Sequence, residues 1–326
     1  MKIAGNTFSR VSVIICTWNR CASLRRTLDS LSSVDMPEGT DVEVIVVDNN
    51  SSDDTRTVAG QFTGGASPWR LRYVFEPRQG KQFALNTGIR TATGQVLAFT
   101  DDDVLFDREW LRYAIAVVLD EGADVAGGVT RVDGFSERPC WYSDTMSAVI
   151  GSVNLGDAPI DPAPAEYAPA GANLVVNRRA FNMVGMFSER HYRHMDYEFG
   201  VRARGCGLRV RYDPRLVVRT GASPGMLTKR YFRRWYFKQG IAAAFDANDT
   251  ARLTLVPRWM WRQAAEQAWT SLKCRVRDDE AAAFASELRV WHLAGFIASR
   301  WRNRFGGRSH GAWAARWSQK HGEQFR

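Results

Sequence analysis

The feature that most constrains this chain is an alternation. Short apolar runs rich in β-branched residues take turns with stretches long enough to be helices. Val11–Cys16, Val42–Val47, Leu71–Phe75, Gln95–Phe99 and Ala123–Gly127 read as strands. Between the first two, Arg20–Leu31 carries Leu24, Leu28 and Leu31 at helical spacing, and Ser51–Phe62, Gly80–Arg90 and Arg108–Leu119 also read as helices. This order predicts an α/β fold built on a parallel sheet. Residues 130–169 break the rhythm with four prolines between 159 and 169 and read as a long excursion. A strand then resumes over Gly171–Val176, followed by a helix from Arg178 and another over Tyr197–Arg204. Two short strands, Leu208–Tyr212 and Leu216–Arg219, are separated by Asp213-Pro214, and from Leu227 the pattern is helical.

Composition supports a folded chain with one sheet domain and an appendage. Of 326 residues, 45% are hydrophobic and 24% charged, which argues against disorder. No apolar run reaches the roughly 18 residues of a spanning helix, and Val11–Cys16 is too short for a signal peptide. Five scattered cysteines without a C-x-x-C pair predict neither a disulfide framework nor a zinc site, and point to a reducing, cytoplasmic compartment. The net charge of +9 is uneven: residues 221–326 hold 19 basic and 8 acidic residues, and residues 1–220 hold 25 and 27. Eight of the twelve tryptophans also follow residue 220. The predicted organisation is therefore a near-neutral body, 1–220, and a basic, Trp-rich helical extension, 221–326.

In open α/β sheets ligands bind beyond the carboxyl ends of the strands. Three polar clusters fall there: Thr17-Trp18-Asn19-Arg20, Asp48-Asn49-Asn50 and Asp101-Asp102-Asp103. Three adjacent carboxylates need a compensating cation or donors, and oxygen ligands suit Mg2+ or Mn2+. The alternative is a solvated turn or helix cap. Asp48 could accept from an imide N–H or a ribose hydroxyl, or simply start an Asx-turn. The segment Glu76-Pro-Arg-Gln-Gly-Lys81 places basic groups at a helix start, which suits a diphosphate.

Six segments in order carry a resemblance: VSVIICTWNR, VEVIVVDNNSSDDT, GKQFALNTGI, TGQVLAFTDDDV, AGANLVVNRRAF and MDYEFGVRARGCGLRVRYDPRLVV. Together they resemble the inverting family 2 glycosyltransferases over about residues 10–220. The resemblance implies a GT-A fold, a mixed and mostly parallel sheet flanked by helices. Nucleotide-sugar binding would occupy about 10–128, and the acceptor side about 129–220. It implies donor contacts at Thr17, Asn19, Arg20, Asp48, Lys81, Asp101 and Asp102. The D-x-D pair Asp101 and Asp103 would hold Mg2+ or Mn2+, with Asp103 the main ligand. Gly171, Ala172 and Asn173 would line the sugar and acceptor pocket, and Asp196 would be the general base. Trp141 could stack on a sugar there or pack onto the body, and Arg234 and Trp235 would add to the acceptor side. The implied partners are a nucleotide-sugar donor, with UDP favoured, and a glycan or lipid-linked acceptor.

Three departures qualify the resemblance. Met195 stands where an acid commonly precedes the base, and Glu198 could take part of that role. Thr220 stands where relatives often carry a metal-binding His. Tyr231-x-x-Arg234-Trp235 resembles the Q-x-x-R-W motif of processive synthases with Tyr in place of Gln, so a non-processive enzyme is expected. His191 and His194 lack a third ligand for a metal. The missing Gly-rich turn after the first strand argues against a dinucleotide-dependent oxidoreductase. A catalytically silent sugar-nucleotide-binding or scaffold protein is the alternative to an enzyme. The basic, Trp-rich extension suggests an anionic membrane surface, the inner face of the cytoplasmic membrane, ahead of plain packing and well ahead of nucleic acid.

Overall fold

The computed structural model describes residues 9–64, 67–135, 137–191, 193–222, 225–246 and 258–305. The chain divides into two compact units. The first runs to Asp133 and resumes over Gly151–Gly221; the second combines Gly134–Ile150 with the chain from Ala222 onward. Part of the irregular excursion therefore belongs with the basic extension.

The first unit is an eight-stranded sheet in the order β3-β2-β1-β4-β7-β6-β8-β5. Its strands are β1 (Ser9–Thr17), β2 (Thr40–Asp48), β3 (Arg70–Phe75), β4 (Val96–Asp101), β5 (Val104–Phe106), β6 (Val125–Asp133), β7 (Leu174–Asn177) and β8 (Val210–Gly221). Helices α1 (Cys21–Ser32), α2 (Thr55–Gly60), α3 (Lys81–Thr91), α4 (Trp110–Ile115), α5 (Arg178–Val184) and α6 (Met195–Gly205) connect them. β1 is apolar on both sides because successive side chains enter different cores. Val11, Val13 and Ile15 pack with Leu24 and Leu28 of α1, whereas Ile14 joins Leu85 and Ile89 of α3 and Phe199 of α6.

β1 to β4 are parallel, as the alternation predicts. β7 is not: it lies antiparallel between β4 and β6, and β5 lies antiparallel to β8. The sheet is thus mixed. Gly171–Asn173, predicted as the start of a strand, is instead a 3-10 turn leading into β7. The two short strands expected around Asp213-Pro214 are one continuous strand, β8. It pairs with β6 across a register shift between Gly127 and Val129. A Cβ on Gly128 would stand 2.3 Å from the carbonyl oxygens of Asp213 and Leu216, so this close approach needs glycine.

The second unit contains α7 (Lys229–Asp246), α8 (Arg258–Val276) and α9 (Glu280–Phe305), with a 3-10 turn at Asp144–Ile150. A Cβ on Gly240 of α7 would lie 1.8 Å from the His292 carbonyl, and one on Gly295 of α9 would lie 2.0 Å from that of Phe237. Two glycines therefore let these helices touch backbone to backbone. Trp141 is buried here, edge-on to Phe232 at 5.2 Å and to Phe284 at 5.0 Å. This corrects its assignment to a sugar pocket: with both neighbours in contact, the ring packs the helical unit. Among the described residues no helix is long and apolar enough to cross a membrane.

Candidate active site

Strand register builds one rim of the sheet. Thr17 at the end of β1 is paired with Asp48 at the end of β2, and Cys16 with Asp101 at the end of β4. Parallel strands that end in register thus bring three sequence-distant polar ends together. Asp48 is buried and held on both oxygens, accepting from the Ser51 N–H at 2.9 Å and from the Tyr73 hydroxyl at 2.7 Å. Burial, then Asp48 itself, pushes the Tyr73 hydroxyl up to about 12, so it stays a donor.

The three aspartates separate into two roles. Asp102 turns inward and is only 3% exposed. It accepts from the Thr17 hydroxyl at 2.8 Å and from Arg20 at 2.7 Å. Burial pushes its carboxyl up to about 7, against the pull of Arg20 and Thr17. Thr17, Arg20 and Asp102, expected as donor contacts, therefore spend these polar groups tying β1 to the turn after β4. Asn19 is similarly occupied: its side-chain oxygen accepts from the Ser52 N–H at 2.7 Å.

Asp101 and Asp103 flank this buried anchor and are less enclosed. Asp101 accepts a hydrogen bond from the Lys81 ammonium. Asp103 lies 3.6 Å from the second terminal nitrogen of Arg20 and 3.4 Å from the Thr220 hydroxyl. Burial and then the Asp101 charge raise the Asp103 carboxyl above the usual carboxylate range. Desolvation opposes the charge on Lys81, and Asp101 outweighs it, so the ammonium titrates above its ordinary value. Thr220 reaches Asp103 because β5, a strand the sequence did not reveal, pairs Val104 with Thr220.

Asp196 opens α6, and its Oδ2 accepts from the Gly171 N–H at 2.8 Å. A Cβ on Gly171 would stand 3.5 Å from that oxygen and 3.9 Å from the Lys81 Nζ. Lys81, bonded to Asp101 and within the field of Asp196, thus stands close to both carboxylates. Met195 is buried in the core beside Phe199, which explains an apolar residue before the acid. Glu198 is paired with Arg202, at 2.9 Å in one of their two hydrogen bonds, and Arg202 also donates to the Met186 carbonyl at 2.9 Å. Glu198, suggested as sharing the base role, is thus engaged on both oxygens by Arg202. Asn173 also needs correcting. It is fully buried, accepting from the Trp110 indole at 3.0 Å and donating to the carbonyls of Leu216 at 2.9 Å and Val129 at 3.1 Å. It locks β6, β8 and α4 rather than lining a pocket. Ala172 packs against the first core. Arg234 and Trp235 lie on α7 in the helical unit.

Two bracing residues escaped the sequence reading. The Asn49 side chain accepts from the Gly80 N–H at 2.7 Å and donates to the Arg78 carbonyl at 2.7 Å, fixing the start of α3 and so Lys81. Glu76 binds Arg78 and Thr87 and is held down at about 2, chiefly by Arg78. Asn49 lay in the recognised Asp48-Asn49-Asn50 cluster, but its partner loop is 31 residues away.

A divalent cation fits this donor set. Among the described residues no group of three or more His, Cys, Asp or Glu side chains is arranged around one point as metal ligands. Two carboxylates are enough for Mg2+ or Mn2+, which take remaining ligands from phosphates and water. Positive groups already stand at both carboxylates, Lys81 at Asp101 and Arg20 at Asp103.

Residues 12–200 match the family model described as Glycosyl transferase family 2. The chain belongs to that family. It is 33% identical over 162 residues to glycosyltransferase AglE of Haloferax volcanii, covering 46% of this chain and 53% of the relative. Over 96 residues it is 34% identical to the GalNAc(5)-diNAcBac-PP-undecaprenol beta-1,3-glucosyltransferase of Campylobacter jejuni, 29% of each chain. The matched segments thus span about half or less of these relatives' own length. Among solved structures, mannosyltransferase PcManGT of Pyrobaculum calidifontis, in complex with GDP-Man and Mn2+, aligns with a TM-score of 0.55. That match has 20% identity and covers 97% of this chain and 81% of that one. The likeness is one of fold, and this family 2 chain has the GT-A architecture.

Proposed function

We propose that this family 2 member is a metal-dependent, inverting, non-processive glycosyltransferase. It takes a nucleotide-diphosphate sugar, UDP-linked by preference, and a glycan or lipid-linked acceptor, in the synthesis of cell-surface polysaccharide or glycolipid. The observation that supports this reading is that Lys81 is hydrogen-bonded to Asp101 and also feels the Asp196 charge. Sugar transfer needs a carboxylate base for the acceptor hydroxyl close to positive charge for the leaving diphosphate.

Asp48 and Tyr73 form the nucleoside end of the rim. Asp101 and Asp103 would hold Mg2+ or Mn2+, which when bound neutralises charge developing on the leaving diphosphate. Lys81 supplies a further positive charge toward the same leaving group. A sugar hydroxyl is a weak nucleophile at neutral pH, and Asp196 takes its proton through the carboxylate during attack. The Gly171 N–H orients that carboxylate, leaving lone pairs for the acceptor. Attack opposite the diphosphate inverts the anomeric carbon. The basic extension places this chemistry at an anionic membrane, on the cytoplasmic face.

The test is a panel of UDP-, GDP- and dTDP-sugars, with nucleoside diphosphate release measured with and without Mn2+. Metal-dependent release with one donor class is expected. Tight UDP binding with no release from any donor would favour a silent sugar-nucleotide-binding protein.

A further inference from the structure

Helix α8 is apolar on two opposite sides. Its inner side carries Met260, which packs against Leu293 and Ile297 of α9, and Ser271, whose hydroxyl donates to the Ala283 carbonyl at 2.8 Å. The outer side carries Trp261, Ala265, Trp269, Leu272 and Val276, all exposed. Their spacing of four, four, three and four residues is one helical stripe. Trp269 is 58% exposed, Leu272 53% and Val276 81%. Trp301 of α9, itself exposed, meets Trp261 with ring centroids 6.4 Å apart and widens the stripe.

A single exposed apolar residue needs no explanation, but a continuous exposed stripe does. Charge decides what fits it. Arg262 and Lys273 flank the stripe on α8, and Lys273 stands 5.3 Å from the centre of the Trp269 ring. Arg300 and Arg302 flank Trp301 on α9. Aromatic and aliphatic groups bordered by cations match the boundary between the acyl chains and headgroups of an anionic bilayer. Each cation close to such a surface favours binding by about fivefold. The nearby acids number four, Glu266, Asp278, Asp279 and Glu280, against six cations, Arg262, Lys273, Arg275, Arg277, Arg300 and Arg302; Glu266 faces Arg262 at 3.2 Å, and Asp279 caps α9 through the Ala282 N–H.

We infer that the outer face of α8 is a membrane-insertion face, lying in the plane of an anionic leaflet with Trp261, Trp269, Leu272 and Val276 below the headgroups. This deepens the membrane-facing reading of the extension and is independent of the transfer chemistry. The alternative occupant, a second copy of this chain, is an outcome of the test.

The full chain is mixed with vesicles of phosphatidylcholine alone or of phosphatidylcholine with phosphatidylglycerol, without donor, and binding is measured by flotation. Binding to the anionic vesicles is expected. The pair Leu272→Asp and Val276→Asp should weaken it by more than about tenfold, since two exposed apolar groups are lost and two negative charges, repelled by the anionic surface, are added. Both positions are solvent-facing, so circular dichroism should be unchanged. A second variant, Trp269→Phe, should retain binding and lose part of the fluorescence quenching by brominated lipid. Binding by the double variant equal to wild type overturns the α8 face while leaving electrostatic attachment by the extension intact. No vesicle binding by wild type overturns both. A wild-type dimer that the double variant converts to monomer in sedimentation assigns the stripe to a second copy and also overturns the inference.

Discussion

The rim of the sheet and the outer side of α8 treat costly side chains in opposite ways. At the rim, charge is taken inward and matched: Asp102 by Thr17 and Arg20, Asp48 by Ser51 and Tyr73, Asp101 by Lys81. On α8, apolar side chains are left outward, and no described residue covers the stripe as a whole. A buried charge is tolerable only with partners already in place. The rim therefore commits many of its polar groups to holding shape, and few remain for ligand. An exposed apolar face has the reverse character. It contributes little to the fold and has its use only when another surface arrives.

The largest expected effect separates catalysis from structure at the rim. Asp196→Asn should lower sugar transfer by about 10^2- to 10^4-fold, with the thermal midpoint little changed. Nucleoside diphosphate release near the wild-type rate would place the base elsewhere. Next comes Arg20→Met, which leaves Asp102 buried without its counter-charge. Because Asp102 titrates at about 7 and can take up a proton instead, a loss of about 2 kcal/mol in urea unfolding is expected at pH 9, where it is ionised, and a smaller one at pH 7. A loss below about 1 kcal/mol at pH 9 would mean that Arg20 acts as a free ligand contact rather than an anchor.

Gly240→Ala tests the helical unit's inner packing. The α7–α9 approach leaves no room for a methyl, so a cost of about 2 to 3 kcal/mol follows. Glu76 gives the acid side of the comparison. Its carboxyl is lowered in the fold from 4.5 to about 2, so its stabilisation is present above pH 4.5 and is lost as pH falls toward 2. Because Arg78 is half exposed, the contribution is on the order of 2 kcal/mol. Glu76→Gln should flatten the pH dependence of stability in that window, and an unchanged slope would remove Glu76 from the bracing of α3. The smallest effect belongs to the outer stripe. Trp269→Ala should change stability by no more than about 0.5 kcal/mol, and a cost above about 1 kcal/mol would show that the ring is covered in solution.

Several elements were legible because their signals are local. The apolar runs that became β1 to β4 and the leucine spacing of α1 needed no partner to be recognised. The positions of Thr17, Asp48 and Asp101 at strand ends followed from the same runs. Short or paired features were not legible. Val104–Phe106 is too brief to signal a strand, and it exists because β8 passes beside it. Pro214 suggested a break, but β8 continues because β6 shifts register at Gly128. Asn173 looked like a pocket residue from its motif, and only the positions of Trp110, Leu216 and Val129 show that its amide is consumed in the core.

The sequence by itself determined the α/β class, the family and the uneven charge, since each is carried by residue type and order. Tertiary structure alone decided which polar residues are tools and which are fasteners. Asp101, Asp102 and Asp103 are identical in chemistry and adjacent in the chain. They differ because β4 ends at Asp101 and the turn that follows directs Asp102 inward to Thr17 and Arg20, leaving Asp101 and Asp103 partly exposed. On α8 the same holds for its apolar residues: periodicity reveals two sides, and only the packing of α9 against one of them leaves the other facing outward.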